Sequence, residues 1–151
     1  MPEVRDKLWL PREVNDEYDI PFLAGYSKDR KTIYRDRNLP KTVVAHLDGK
    51  TKEIEPDEDI IPHETIEPIV MDVLGWTYFP AHAVATVYGK RRFVRRYGPE
   101  WWMPYTHEMD GFASHDEHER VKKVPRDLDM APYLAPPVNR RLVQAMKRAM
   151  G

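Results

Sequence analysis

The residues with the most chemical potential are Pro62-His63-Glu64-Thr65-Ile66-Glu67, followed fifteen residues after Glu67 by His82, in a chain with no cysteine. Residues four apart on a helix are neighbours, so His63 and Glu67 can hold one divalent ion together. His82 is the candidate third ligand, because Gly75-Trp76 lets the following segment fold back. Zinc accepts imidazole nitrogen and carboxylate oxygen, and a catalytic site keeps three protein ligands plus water. Glu64 leaves the helix in a different direction from His63 and would stand beside the ion as a general base. The competing reading keeps His63 and His82 as ordinary hydrogen-bonded polar residues at helix starts. A His-Glu-x-x-Glu string alone arises often by chance. Its weight here comes from the upstream strand ending in Leu39-Pro40 and from the downstream Ala81-His82.

The elements that must position these residues are legible in outline. Ile20 to Tyr26 reads as a strand, Ser27-Lys28-Asp29-Arg30 as a turn and Lys31 to Arg35 as the returning strand. Lys41 to Leu47 and Thr51 to Ile54 flank Asp48-Gly49, a strong hairpin pair. Asp57 to Asp59 is an acidic entry suited to a helix N-terminus. Ile66, Ile69, Val70, Val73 and Leu74 then recur at helical intervals up to Gly75. Pro68 allows two versions: a helix kinked at that residue, or regular helix from about Thr65 with Pro68 in its first turn. Thr77 is placed to cap a second helix running to about Tyr97, closed by Gly98-Pro99. Glu100 to Met109 reads as aromatic and irregular, Ser114 to Lys123 as a short polar helix and Val124 to Pro137 as an extended connector. A last amphipathic helix runs from Pro137 to Met150. The expected fold is α+β: a small antiparallel sheet or hairpin, a helical half and a C-terminal helix. The expected division is an N-terminal arm at 1–19, irregular with one helical turn, a central domain at 20–123 and a connector with helix at 124–151.

Thr32-Ile33-Tyr34-Arg35-Asp36-Arg37-Asn38-Leu39-Pro40, then His63-Glu64-Thr65-Ile66-Glu67, resembles the strand and active-site helix of minimal zincin-type metallopeptidases. With Gly75-Trp76-Thr77-Tyr78 and Ala81-His82, it is also similar to small proteins encoded by bacteriophages and prophages. The likeness spans roughly residues 24 to 88. It implies His63 as first ligand, Glu64 as base, His82 as third ligand, zinc as cofactor, and a place in a virion or the host cytoplasm. Glu67 departs from the histidine that zincins have there, and Pro68 follows it directly.

Composition narrows the alternatives. With 151 residues, 41% hydrophobic and 32% charged, the chain can build one modest core and is too apolar for wholesale disorder. No apolar run approaches the ~20 residues of a membrane span. Met1-Pro2-Glu3-Val4-Arg5-Asp6 lacks the pattern of a secretory leader. A net charge of -1 argues against bulk attraction to nucleic acid. The block Lys90, Arg91, Arg92, Arg95 and Arg96 could still touch phosphate, although such runs are usually solvated helix faces or protein contacts. Fourteen prolines imply extended segments of the kind that lie across neighbouring subunits. His107-Glu108 and His115-Asp116-Glu117-His118-Glu119 form a second His/acid group, read mainly as a charged surface helix; His107 could alternatively complete the first site. Trp101-Trp102, Met103 and Tyr105 cap the core or form a binding platform. Asp36-Arg37 reads as an architectural ion pair. Three functions follow: a zincin-like metal protein hydrolysing amides, a non-catalytic head or tail protein working among other subunits, and a nucleic-acid-associated basic module.

Overall fold

Alternating β-branched and aromatic residues make Thr32–Arg35 the central strand of a three-stranded sheet. The computed structural model describes residues 12–113 and 117–151. In the sheet, β1 (Glu13–Asn15) runs parallel to β3 (Thr32–Arg35), and β2 (Ala24–Tyr26) runs antiparallel to it on the other side. The outer edge of β2 is met by the chain near Leu128, where Asp129 N–H donates to the Tyr26 carbonyl at 2.9 Å. A separate hairpin joins β4 (Val43–Leu47) to β5 (Lys50–Ile54). Its two-residue turn has φ 49° at Asp48 and 77° at Gly49, the left-handed pair whose twist suits adjoining strands.

Helix α1 (Asp57–Leu74) and helix α2 (Tyr78–Tyr97) form an antiparallel pair. Gly75, at φ 66°, ends the first and lets the chain reverse. Close approach of the two is set at Gly89, where a Cβ would lie 2.4 Å from Asp59 Oδ1 and 2.7 Å from the Asp59 carbonyl oxygen. Two arginines of the β2–β3 hairpin fasten α1 at both ends. Buried Arg35 donates through Nε to Asp57 Oδ1 at 2.6 Å and through its other nitrogens to the Leu39 and Pro40 carbonyls. Arg30 forks onto both Asp72 oxygens at 2.9 and 3.0 Å and also donates to Asp129. The middle of α1 is thereby held against the sheet and α2.

After a tight turn at Pro99–Trp101 comes α3 (Trp102–Ala113), followed by α4 (Glu117–Arg120), α5 (Ala131–Leu134) and α6 (Arg140–Ala149). Trp101, Tyr105 and Met109 are four apart and pack with Val43, Ala45, Ile54 and Phe93. Leu142, Val143, Ala145 and Met146 of α6 close over Ile20, Tyr34, Val121 and Leu128. One apolar cluster thus draws residues from both sides of position 124.

The α+β class is as expected, but several elements differ. The first strand is confined to β2, because Phe22 and Leu23 turn to φ 60° and 80° and leave extended geometry. Residues 1–11 of the expected arm lie outside the described residues, and 13–15 form β1 rather than irregular chain. Helix α1 starts at Asp57, with the expected acidic residues in its first turn, and carries both Pro62 and Pro68 inside it, so regular helix does not wait for Thr65. Glu100 to Met109 is helical apart from its first two residues. Pro104 falls in the first turn of α3, where an amide proton has no helical partner to lose. The connector contains α5, and α6 begins three residues after Pro137, where the Asn139 side chain accepts from Leu142 N–H at 3.1 Å.

Candidate metal centre

The buried stripe of α1 runs Ile60, Glu64, Glu67, with half-buried Met71 following at the same spacing. Two carboxylates thus occupy core-facing positions of a helix whose neighbours at Ile66, Ile69 and Val70 are apolar. Burying a carboxylate without partners is costly, so its donors define the site.

Glu67, 2% exposed, is met from both helices. His63, one turn earlier, donates through Nε2 to Glu67 Oε2 at 2.8 Å. His82, fifth residue of α2, donates through Nδ1 to the same oxygen at 2.8 Å. The other oxygen, Oε1, accepts the Tyr26 hydroxyl from β2 at 3.0 Å. The two imidazoles stand edge to face with centroids 4.7 Å apart, and Tyr78 stacks on His82 with its hydroxyl 3.2 Å from the same Nδ1. One ligand atom each from His63, Glu67 and His82 lies within 4.8 Å of the others, and this group could hold a metal ion. Tetrahedral ligands ~2.0–2.1 Å from zinc stand about 3.3 Å from one another. The present 2.8 Å contacts would open by about half an ångström as a cation replaced the two shared protons.

Charge distribution follows from burial and these bonds. Burial alone would lift the Glu67 carboxyl, but the hydrogen bonds and positive charge of His63 and His82 bring it down to about 2. Burial alone would depress His63, yet the Glu67 bond and the fields of Glu64, Glu67 and Asp59 raise it to about 8. Glu64 is pushed up to about 8 by burial, with Glu67 and Asp59 adding to the rise and His63 opposing it. Among the described residues no hydrogen bond contributes to its state, and its side chain lines a cavity of about 260 Å³ shared with His63, Glu67, His82 and Tyr78. Tyr78 is likewise raised, by burial and then by Glu67 and Glu64.

His63, Glu67 and His82 therefore converge, with Glu64 beside them. The alternative placement of the histidines at helix starts does not hold for His63, which lies nearly two turns into α1. His107 is exposed on α3 and belongs to no ligand group among the described residues. His118 faces Glu119 only at 3.9 Å, and His115 and Asp116 lie outside the described residues. Arg37 pairs with Asp19 rather than with Asp36, whose Oδ1 accepts from Ile20 N–H and Asn38. Trp101 and Tyr105 are core, while Met103 is 73% exposed. Within the basic block, Arg92 and Arg96 contact Glu58 and Lys90 lies over the Trp102 ring.

Two contributors were missed from sequence. Tyr78 had a signal, standing four residues before His82 on a helix already expected. Tyr26 had none, since it reaches Glu67 across 41 residues. No protein-family model, curated protein or solved structure matches the chain.

Proposed function

We propose that the chain is a zincin-like metal protein of a phage-type assembly, binding zinc through His63, Glu67 and His82 and hydrolysing an amide with Glu64 as base. The supporting observation is the convergence of three ligand atoms from two helices at the wall of a cavity that also presents Glu64. Two histidines and one carboxylate suit zinc and ferrous iron alike. Zinc and hydrolysis are preferred because a further carboxyl, Glu64, outside the ligand group and without a hydrogen bond among the described residues, lines the same cavity as the ligands.

Bound zinc supplies Lewis acidity, polarising a carbonyl and lowering the pKa of a water. Glu64 takes the proton of the attacking water and returns it to the departing nitrogen. Tyr26 fixes the Glu67 carboxylate so that Oε2 faces the imidazoles. The Tyr78 hydroxyl, beside the His82 nitrogen, can donate to the carbonyl oxygen as negative charge develops.

Elemental analysis of purified protein, followed by calorimetric zinc titration, tests the ligand set. One zinc per chain is expected, lost in His82→Ala. Glu64→Gln should keep the ion and abolish release of amine from a peptide library. Retention of zinc by His82→Ala would remove the proposed centre, and undiminished turnover in Glu64→Gln would remove the base.

A second reading, a non-catalytic particle component, draws on other side chains. Trp76, Phe79, Val87 and Tyr88 are 42–52% exposed on the α1–α2 turn and the outer side of α2. Side chains of this kind are commonly covered by subunit contacts. Light scattering should show self-association that Phe79→Ser and Val87→Ser abolish; a monomer at all concentrations tested would count against it.

A further inference from the structure

The cavity beside the metal centre has a chemistry of its own. One face of α3 enters it at Trp102, Tyr105, Thr106, Met109 and Asp110, a stripe at three- and four-residue spacing. The opposite wall is aromatic too: Phe22 stacks on Tyr133 at 5.8 Å, and the Tyr133 hydroxyl donates to the Pro21 carbonyl at 3.1 Å. Phe22 and the adjoining Leu23 both sit at positive φ, a strained conformation that surrounding packing must hold, and both line the space. At about 260 Å³ it exceeds the ~150 Å³ that accommodates benzene in an engineered cavity.

Its lining is predominantly acidic. Lys and Arg number 24 against 25 Asp and Glu in the whole chain, yet among the described residues the cavity is lined by Asp59, Glu64, Glu67 and Asp110 and by no Lys or Arg. Glu67 is answered by two imidazoles and a phenol; the other three acids are not so answered. Glu64, 9% exposed and without a hydrogen bond among the described residues, is pushed toward its neutral form by burial, which leaves Asp59 and Asp110 to meet a charge. Asp59 is raised by burial, opposed by the Tyr105 hydroxyl, which it receives on Oδ2 at 3.0 Å, and by the charge of His63. Aromatic faces and carboxylates both attract a cation, while apolar walls accept its stem.

We infer that this cavity is a subsite for a cationic side chain, an ammonium or guanidinium group on an apolar stem. Its use in selecting amides beside a basic residue rests on the hydrolase reading; the binding itself does not. Aromatic walls take the stem, and Asp59 and Asp110 take the charged head. The chemical class is that of a lysine or arginine side chain.

The test uses the full chain freed of metal, with benzamidinium as probe and benzamide as its neutral counterpart, in ligand-detected NMR titrations. Benzamidinium should bind about tenfold or more tightly than benzamide. That advantage should shrink several-fold in Asp110→Asn, an exposed position whose change leaves the fold intact, and in Asp59→Asn. A thermal melt of each variant separates loss of binding from loss of structure. Equal binding of benzamide, an advantage unchanged in both variants, or no benzamidinium binding would each overturn the inference. Zinc titration of the same samples keeps the two ideas separate: failure of one leaves the result for the other standing.

Discussion

Asp19 and Glu67 are both buried carboxylates, 3% and 2% exposed, yet they make different things of burial. Asp19 accepts from Arg37 Nε at 2.6 Å, Arg37 Nη2 at 2.8 Å, Asn38 Nδ2 at 3.0 Å and the backbone N–H groups of Lys122 and Lys123 at 2.8 and 3.1 Å. Not one of these donors has a lone pair to offer a cation. The space beside Asp19 is about 10 Å³, scarcely enough for one water. Asp19 is a lock joining the loop after β3 to the chain entering the C-terminal segment. Glu67 has fewer donors, but two are imidazoles, each able to give up its proton and present a lone pair, and a cavity adjoins them. Donor chemistry and adjacent space, rather than burial, separate a site from a lock.

The largest effect expected from breaking this contrast is on stability at the lock. Asp19→Ala leaves two backbone donors and the Asn38 amide unpaired, while Arg37, 40% exposed, turns to water; the cost should be about 3 kcal/mol in urea unfolding, with zinc affinity of the folded fraction unchanged. Glu67→Gln should do the reverse: zinc affinity falling by more than the ~100-fold known for outer partners, with a smaller stability loss in chelator. A calorimetric titration alongside the unfolding curves compares the two directly.

The pH dependence sharpens the contrast further. For metal-free protein, Glu67 at about 2, below its ordinary 4.5, contributes stability that is present above pH 4.5 and lost as pH falls toward 2. His63 at about 8, above its ordinary 6.5, contributes stability that is full below 6.5 and lost as pH rises through 8. Asp19 is lowered although burial alone would raise it, because the Arg37, Lys122, Asn38 and Lys123 hydrogen bonds prevail; it adds only an acid-side loss. Glu64 at about 8, above its ordinary 4.5 chiefly through burial, adds a loss between pH 4.5 and 8 that neither substitution removes. Unfolding midpoints across pH 3–9 should therefore decline less steeply on the alkaline side in Glu67→Gln and keep the full decline in Asp19→Asn. The smallest effect is expected for Tyr26→Phe, about 1 kcal/mol in stability and about tenfold in zinc affinity. A larger change in stability than in affinity would recast Tyr26 as a packing residue.

The ligand group was legible because its logic is local. His63 and Glu67 are one turn apart, and Gly75 with Trp76 announces the reversal that returns His82. The acidic entry at Asp57 marked the start of α1, but Pro62 and Pro68 argue locally against an unbroken helix, and two clamping arginines and a buried apolar face outweigh them. The helix over Trp102–Ala113 was missed because its aromatic run has weak helical preference, and packing on the β4–β5 hairpin supplies the difference. The cavity's aromatic wall was not readable, since it unites Phe22, Trp102 and Tyr133 from three distant segments.

By itself the sequence determined the α+β class, the two hairpin turns, the α1–α2 reversal and the identity of the three ligand candidates. These depend on residue spacing and turn chemistry within a few tens of residues. Tertiary structure alone decided that both imidazoles meet one oxygen of Glu67, that Tyr26 holds the other, and that Glu64 faces an aromatic cavity with no hydrogen-bonding partner among the described residues. Those outcomes depend on how α1 is pinned between the sheet and α2. That placement is fixed by Arg30, Arg35 and Gly89 acting across 22 to 42 residues, a range no local pattern encodes.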